Sequence, residues 1–258
     1  MDQTLQLASP LETTTMKRTL GTTIAATTLL GLSWTAQAGT IRAELTTLPT
    51  QSVEFTLGGD GRETTTGRFD FQRLGGTHPV TPKPAIGGMF WAFCIELEEF
   101  INEGNITTFD VRPLDQGGPV GGMGLARADQ LAELLGAVYP DFSVPLASAD
   151  EYAALQIAIW EIIYETDAML AVGSGFAQFF NAPAAILDLA DDYLALVDGI
   201  GDRALGLAAL VNDNADPERR GRLDMLVQFP VPEPGTLGLA LLGLGAAFGL
   251  RRRSGKNA

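Results

Sequence analysis

The chain has one cysteine, one histidine and few basic residues, and each scarcity closes off a class of function. With Cys94 alone, no internal disulfide can form. The single histidine, His78, lies in a Pro/Gly-rich loop, so neither a Ser-His-Asp nor a Cys-His mechanism has an orienting set. A lone loop histidine is expected to be solvated. Zinc needs a Cys/His ligand set that is missing here. The acids of DNADPE (213–218) lack the glycine and distal glutamate of a calcium loop. Neither GGPVGGMG (117–124) nor the glycine-rich tail has the lysine of a phosphate loop. Glu96 and Glu98 are expected to share one strand face, but nothing identifies a second carboxylate across a cleft, as a glycosidase needs. No turnover enzyme is indicated, and no cofactor or metal is expected.

Basic residues are scarce where they would matter most. The chain carries 17 Lys and Arg against 31 Asp and Glu, a formal charge of −14. Setting aside Lys17, Arg18 and the four basic residues of the tail leaves 11 of the 17, and setting aside Asp2 and Glu12 leaves 29 of the 31. The middle of the chain is therefore at −18, a surface that repels phosphate backbones and excludes nucleic acid as a partner. The plain reading of this charge is solubility outside the cell.

Long hydrophobic runs are confined to the two ends. MKRTLGTTIAATTLLGLSWTAQA (16–38) has a Lys17-Arg18 start, an apolar centre and a small-x-small end at Ala36-Gln37-Ala38. This is a secretory signal peptide, with signal peptidase expected to cut before Gly39 after passage through the export machinery. Residues 1–15 extend it from Met1, although Met16 is the better start. At the other end stand Pro232-Glu233-Pro234, an apolar stretch from Thr236 to Leu250, and the cluster Arg251, Arg252 and Arg253. Fifteen helical residues span about 22 Å, short against a bilayer core of ~30 Å. The arginines would stay on the cytoplasmic side. Residues 231–258 resemble the PEP-CTERM sorting signal of Gram-negative bacteria. That resemblance implies a transient inner-membrane anchor, processing by an exosortase near Pro-Glu-Pro, and delivery to the cell surface or extracellular matrix.

Between the ends, residues 39–230 read as one extracellular α+β domain. TIRAEL (40–45), SVEFTL (52–57), GRFDFQRL (67–74), MFWAFCIEL (89–97) and ITTFDV (106–111) alternate as antiparallel strands of a sheet or barrel-like part. A helical part is inserted next. It comprises Leu125–Tyr139, then YAALQIAIWEIIYE (152–165) behind a Ser148 cap, then Pro183–Asp198. LGLAALV (205–211) and LDMLVQF (223–229) close the domain as a hairpin. With the ends added, the expected architecture has a signal helix before this domain and a short membrane helix after it.

Two motifs inside the domain stand out together. Cys94 lies in FCIE (93–96), and an exported protein usually pairs or avoids a free thiol. Gln156 lies in LQIAIW (155–160), in an otherwise apolar helical stretch, where its amide must be hydrogen-bonded or converted into something less polar. The pair resembles the thioester domains of bacterial surface adhesins, which carry an aromatic-Cys-aliphatic-acid motif on a strand and a Gln…Trp motif on a helix. The resemblance implies that the Cys94 thiol condenses with the Gln156 side chain, losing ammonia. Trp91, Phe93 and Trp160 would then form a dry supporting pocket, and Glu96 a base or positioning group. Such a protein attaches once, covalently, to an amine on a surface or matrix target. The alternative is a non-reactive structural matrix protein in which Cys94 and Gln156 are only packed.

Overall fold

Strand β1 (Gly39–Thr47) buries Ile41, Ala43 and Leu45 completely and turns Arg42 and Thr46 to solvent, the two-residue alternation of a sheet with one covered face. The same period recurs in β2 (Gln51–Leu57), β4 (Phe69–Gly75) and β7 (Ile106–Arg112). A computed structural model describes residues 38–99, 101–166, 169–212 and 223–231. Ala36, Pro232, Glu233, Pro234 and Arg251–Arg253 lie outside these, as do the expected signal helix and C-terminal membrane helix. Among the described residues, no helix is long and apolar enough to cross a membrane. Gly39, the residue expected after signal cleavage, is the first residue of β1.

With β6 (Met89–Cys94), β9 (Leu207–Val211) and β10 (Met225–Gln228), six strands close into a barrel in the order β10-β9-β7-β1-β4-β6, β6 returning to β10. Every pairing between described strands is antiparallel. Phe71 stacks on Phe90 at 5.3 Å and meets the edge of Phe109 at 6.0 Å, so three strands contribute to one aromatic contact. Strands β9 (Leu207–Val211) and β10 are buried almost throughout, which is why their sequences run apolar without alternation.

The helical part enters between β7 and β9, as expected, as α1 (Leu125–Val138), α2 (Ala149–Tyr164) and α3 (Ala184–Leu194). Helix α2 opens on Ser148, whose side chain accepts from the Glu151 N–H at 3.2 Å, with Asp150 and Glu151 in its first turn. It is buried all round from Tyr152 to Ile163, rather than on the single Leu155/Ile159/Ile162/Ile163 face that its spacing suggests. Neighbours on several sides explain this, since α2 packs on α1, α3 and a second sheet in which β2 lies between β3 (Asp60–Thr66) and β8 (Ala177–Phe180).

Three strands are not legible as such in the sequence. β3 (Asp60–Thr66) is polar and mostly exposed, and is held by a two-residue turn at Gly58-Gly59, both with positive φ. β5 (Pro84–Ile86) sits in the Pro/Gly stretch and takes the edge position that proline permits. β8 (Ala177–Phe180) is only four residues long and pairs with β2 across a long sequence gap. Strand β6 stops at Cys94 instead of running on to Leu97, so Glu96 and Glu98 do not share a strand face.

Helix α1 also fixes a close backbone contact. The Ala204 N–H donates to the Ala132 carbonyl at 2.8 Å, and a Cβ added at Gly136 would overlap the Asp202 carbonyl oxygen and lie 2.7 Å from its carbon. Gly to Ala inside a helix ordinarily stabilises by about 0.5–1 kcal/mol. Here the sign should reverse. Gly136→Ala is expected to lower the denaturant midpoint with an unchanged m-value, by more than about 1 kcal/mol. A stabilised variant would contradict this packing.

Candidate functional site

Cys94 ends β6, and its two ladder edges differ. On one side it pairs with Met225 of β10. On the other, the ladder with β4 ends at Ala92–Phe69, leaving the Cys94 backbone without a strand partner. Gln156 takes that place. Its Oε1 accepts from the Cys94 N–H at 2.8 Å and its Nε2 donates to the Cys94 carbonyl at 2.8 Å. A carboxamide offers one acceptor and one donor in a plane, the same complement as a backbone peptide. Gln156 is wholly buried and Cys94 nearly so. Two buried backbone groups would otherwise go unpaired, at about 1–3 kcal/mol each.

The thiol faces a different partner. Cys94 Sγ donates to the Glu96 carbonyl oxygen at 2.6 Å, and the Glu96 N–H returns to the sulfur at 3.4 Å. Burial pushes the thiol well above its ordinary value. The Glu96 backbone contact opposes this, the Glu96 charge adds to it, the Trp160 indole N–H opposes it, and Asp224 adds to it. The sulfur is thus held as a neutral thiol on the residue whose backbone the carboxamide grips.

Glu96 is not a plain solvent-facing acid. It is half-buried, and its Oε2 accepts from the Asp224 N–H at 2.9 Å. Burial, then the neighbouring Asp224 charge, raises its pKa to about 8, with Glu99 and Glu98 adding to the rise. Asp224 belongs to no motif, and its one signal in the sequence is a carboxylate inside the largely apolar LDMLVQF. It is buried and ties four segments. Its Oδ1 accepts from Asn212, its Oδ2 accepts from Gly118, and its carbonyl accepts from Ile95, while its N–H goes to Glu96. Tyr164, on the last turn of α2, accepts from the Leu97 N–H at 2.9 Å and fixes the chain just past the site.

The aromatic residues expected around the site divide. Trp160 lies one helical turn after Gln156, is buried, and stacks on Phe179 of β8 at 6.2 Å. Phe93, next to Cys94, packs away into a cluster with Tyr139, Phe142 and Tyr152. Trp91 is half-buried three residues back along β6, with the Arg68 guanidinium 4.0 Å above its ring. That guanidinium also grips Asp70 with two nitrogens, at 2.7 and 3.0 Å. The structure therefore gathers Cys94, Gln156, Glu96 and Trp160, and leaves Trp91 elsewhere. Glu98 pairs with Arg62 at 3.4 Å, both exposed, a contact of little energetic weight. His78, expected to be solvated, is buried with its ring 4.5 Å from Phe229. Among the described residues, no cluster of His, Cys, Asp and Glu suits a metal ion.

One further acid lies on α2 just past Trp160. Glu161 is wholly buried and accepts from the Ala171 N–H at 2.9 Å. Burial raises its pKa to about 8 against the help of that N–H, and the Glu165 and Asp191 charges push the same way. For both Glu96 and Glu161 the folded pKa lies above the ordinary 4.5. Folding therefore favours the neutral acids, and their stabilisation is full below the unfolded pKa and lost as pH rises through about 8. The melting temperature is expected to fall between about pH 5 and about pH 9, and Glu96→Gln and Glu161→Gln should each flatten part of that slope. An unchanged slope in both variants would contradict these assignments.

Neither a curated protein nor a solved structure matches this chain. A protein-sorting signal does, over residues 230–253. The chain therefore carries a PEP-CTERM protein-sorting motif, which marks an exported protein for exosortase processing and the cell surface.

Proposed function

We propose that this exported, sorted protein is a covalent surface binder, in which Cys94 and Gln156 form an internal thioester that captures an amine on a surface or matrix target. The observation that carries it is the two-point grip of the Gln156 carboxamide on the Cys94 backbone, at 2.8 Å each way, in a buried site. The grip holds the acyl carbon of one motif beside the residue that bears the thiol of the other. The Cys94 N–H already donates to the carbonyl oxygen that would carry negative charge as sulfur adds, so it serves as an oxyanion donor.

The step balances with these two residues alone. The sulfur leaves its contact with the Glu96 carbonyl and bonds to Gln156 Cδ. The C–N bond breaks, and the thiol proton departs with the nitrogen as ammonia. Exclusion of water then preserves the activated acyl group. An incoming primary amine attacks the same carbon, the C–S bond breaks, and an amide remains while Cys94 regains a thiol. Glu96, ionised only as pH rises through about 8, takes the proton an ammonium must lose in its carboxylate form, so capture of the amine is favoured on the alkaline side of neutrality. The event happens once per molecule, without cofactor.

In this reading the mature domain spans residues 39–230. It is released by signal peptidase and held for a time in the inner membrane of a Gram-negative bacterium before exosortase acts. A non-reactive matrix role has an observation in its favour too. Gln228 is likewise buried and satisfied, accepting from the Phe142 N–H and donating to the Pro140 and Leu205 carbonyls, with no thiol involved.

Intact mass of the purified exported protein separates the two. The thioester form is lighter than its sequence by one ammonia and gains one methylamine on incubation, while Cys94→Ala and Gln156→Ala have the full mass of their sequences and gain none. A wild-type protein of full mass, inert to methylamine, would overturn the covalent reading.

A further inference from the structure

Trp160 presents a buried polar group that the fold leaves unused. Among the described residues its indole Nε1–H is fully enclosed and meets no hydrogen-bond acceptor. Such an orphan is costly and calls for an explanation. The ring itself is well held, stacked at 10° on Phe179. Phenylalanine would make that stack without the unpaired donor, so packing alone does not account for tryptophan here. The position is informative. Trp160 follows Gln156 by four residues on α2, the spacing that puts two side chains on one helix face, and Gln156 is clasped to Cys94.

We propose that the Trp160 indole N–H is a donor reserved for the Cys94 sulfur at the moments when that atom carries negative charge. This inference rests on the thioester reading and names a residue one helical turn from the acyl side chain. A neutral thiol is a weak acceptor, and in the amide form the sulfur is turned to the Glu96 carbonyl. When an amine opens the thioester, the sulfur leaves as a thiolate in a site that otherwise penalises the charge, through burial and through Glu96 and Asp224. An N–H already in place stabilises that thiolate without reorganisation, until a proton released by the amine converts it to the thiol. The same contact favours the thiolate that attacks Gln156 when the bond first forms. In accord with this, the indole N–H favours the ionised sulfur, although it makes no hydrogen bond to the neutral thiol. Trp160 and the Cys94 N–H then divide the work, one serving the sulfur and the other the acyl oxygen.

Two measurements on the full exported protein test this. The first compares methylamine opening of the wild type with Trp160→Phe, and with benzothienylalanine at position 160, which keeps the ring shape and replaces only the N–H. Opening is expected to slow by about tenfold or more in both, with the melting temperature of the isostere unchanged. Equal or faster opening in the isostere would overturn the proposal, because a ring that only packs has no use for its N–H. The second needs no thioester. The Trp160 indole resonance, identified by its loss in Trp160→Phe, is compared between Cys94→Ser and Cys94→Ala. A hydroxyl at position 94 is a strong acceptor, so the resonance is expected downfield in Cys94→Ser, and coincident resonances would overturn the assignment. Full mass in the wild type would overturn the underlying thioester reading whatever the resonance does, so the two failures are told apart.

Discussion

One side chain standing in for a strand is the constraint on which this structure depends. Beyond Ala92 the barrel has no residue of β4 to pair with β6, and the carboxamide of Gln156 supplies the missing N–H and C=O partners to Cys94. Helix α2 is thereby bonded to the last residue of barrel strand β6. The pairing can be made only if α2 lies at one depth and one rotation, because a carboxamide has one plane and two hydrogen-bonding edges. The full burial of α2 follows from the same placement, with the barrel on one side and α1, α3 and the second sheet on others.

Two other buried polar side chains are satisfied the same way, by the backbone. Gln228 clasps Phe142, Pro140 and Leu205, and Asp224 holds Asn212, Gly118, Ile95 and Glu96 together where β6 and β10 meet. Carboxyl groups gathered in this setting are costly as charges, and Glu96 responds by retaining its proton toward neutral pH. A domain of strongly acidic composition thus keeps Glu96 neutral near the residue whose backbone the carboxamide grips.

Much of this was legible in the chain. The alternation in TIRAEL and SVEFTL, the Ser148 cap and the apolar runs near residues 205–211 and 223–229 gave strands, helix and closing hairpin in the right order. FCIE and LQIAIW singled out the two residues that the fold joins, because a lone exported cysteine and a glutamine on an apolar helix each need a partner. What the sequence hid was non-local. The DGRETTT strand has no hydrophobic period, and the AQFF strand is too short to signal itself without β2 beside it. The resemblance puts Trp91 in the pocket with Cys94, yet an Arg68 cation claims its ring. Asp224 belongs to the site through hydrogen bonds to segments far away in the chain, which no local pattern records.

The sorting motif and the barrel joint give the protein two separable chemistries, one that addresses it and one proposed to attach it. The second stands or falls on the state of a single carbonyl carbon. The most direct test is the ¹³C resonance of the Gln156 side-chain carbonyl in exported protein labelled at glutamine. A thioester carbon resonates far downfield of a carboxamide and carries no NH₂ protons, and that is the result this account predicts. A carboxamide resonance coupled to two protected Nε2 protons, one held by the Cys94 carbonyl, would contradict it.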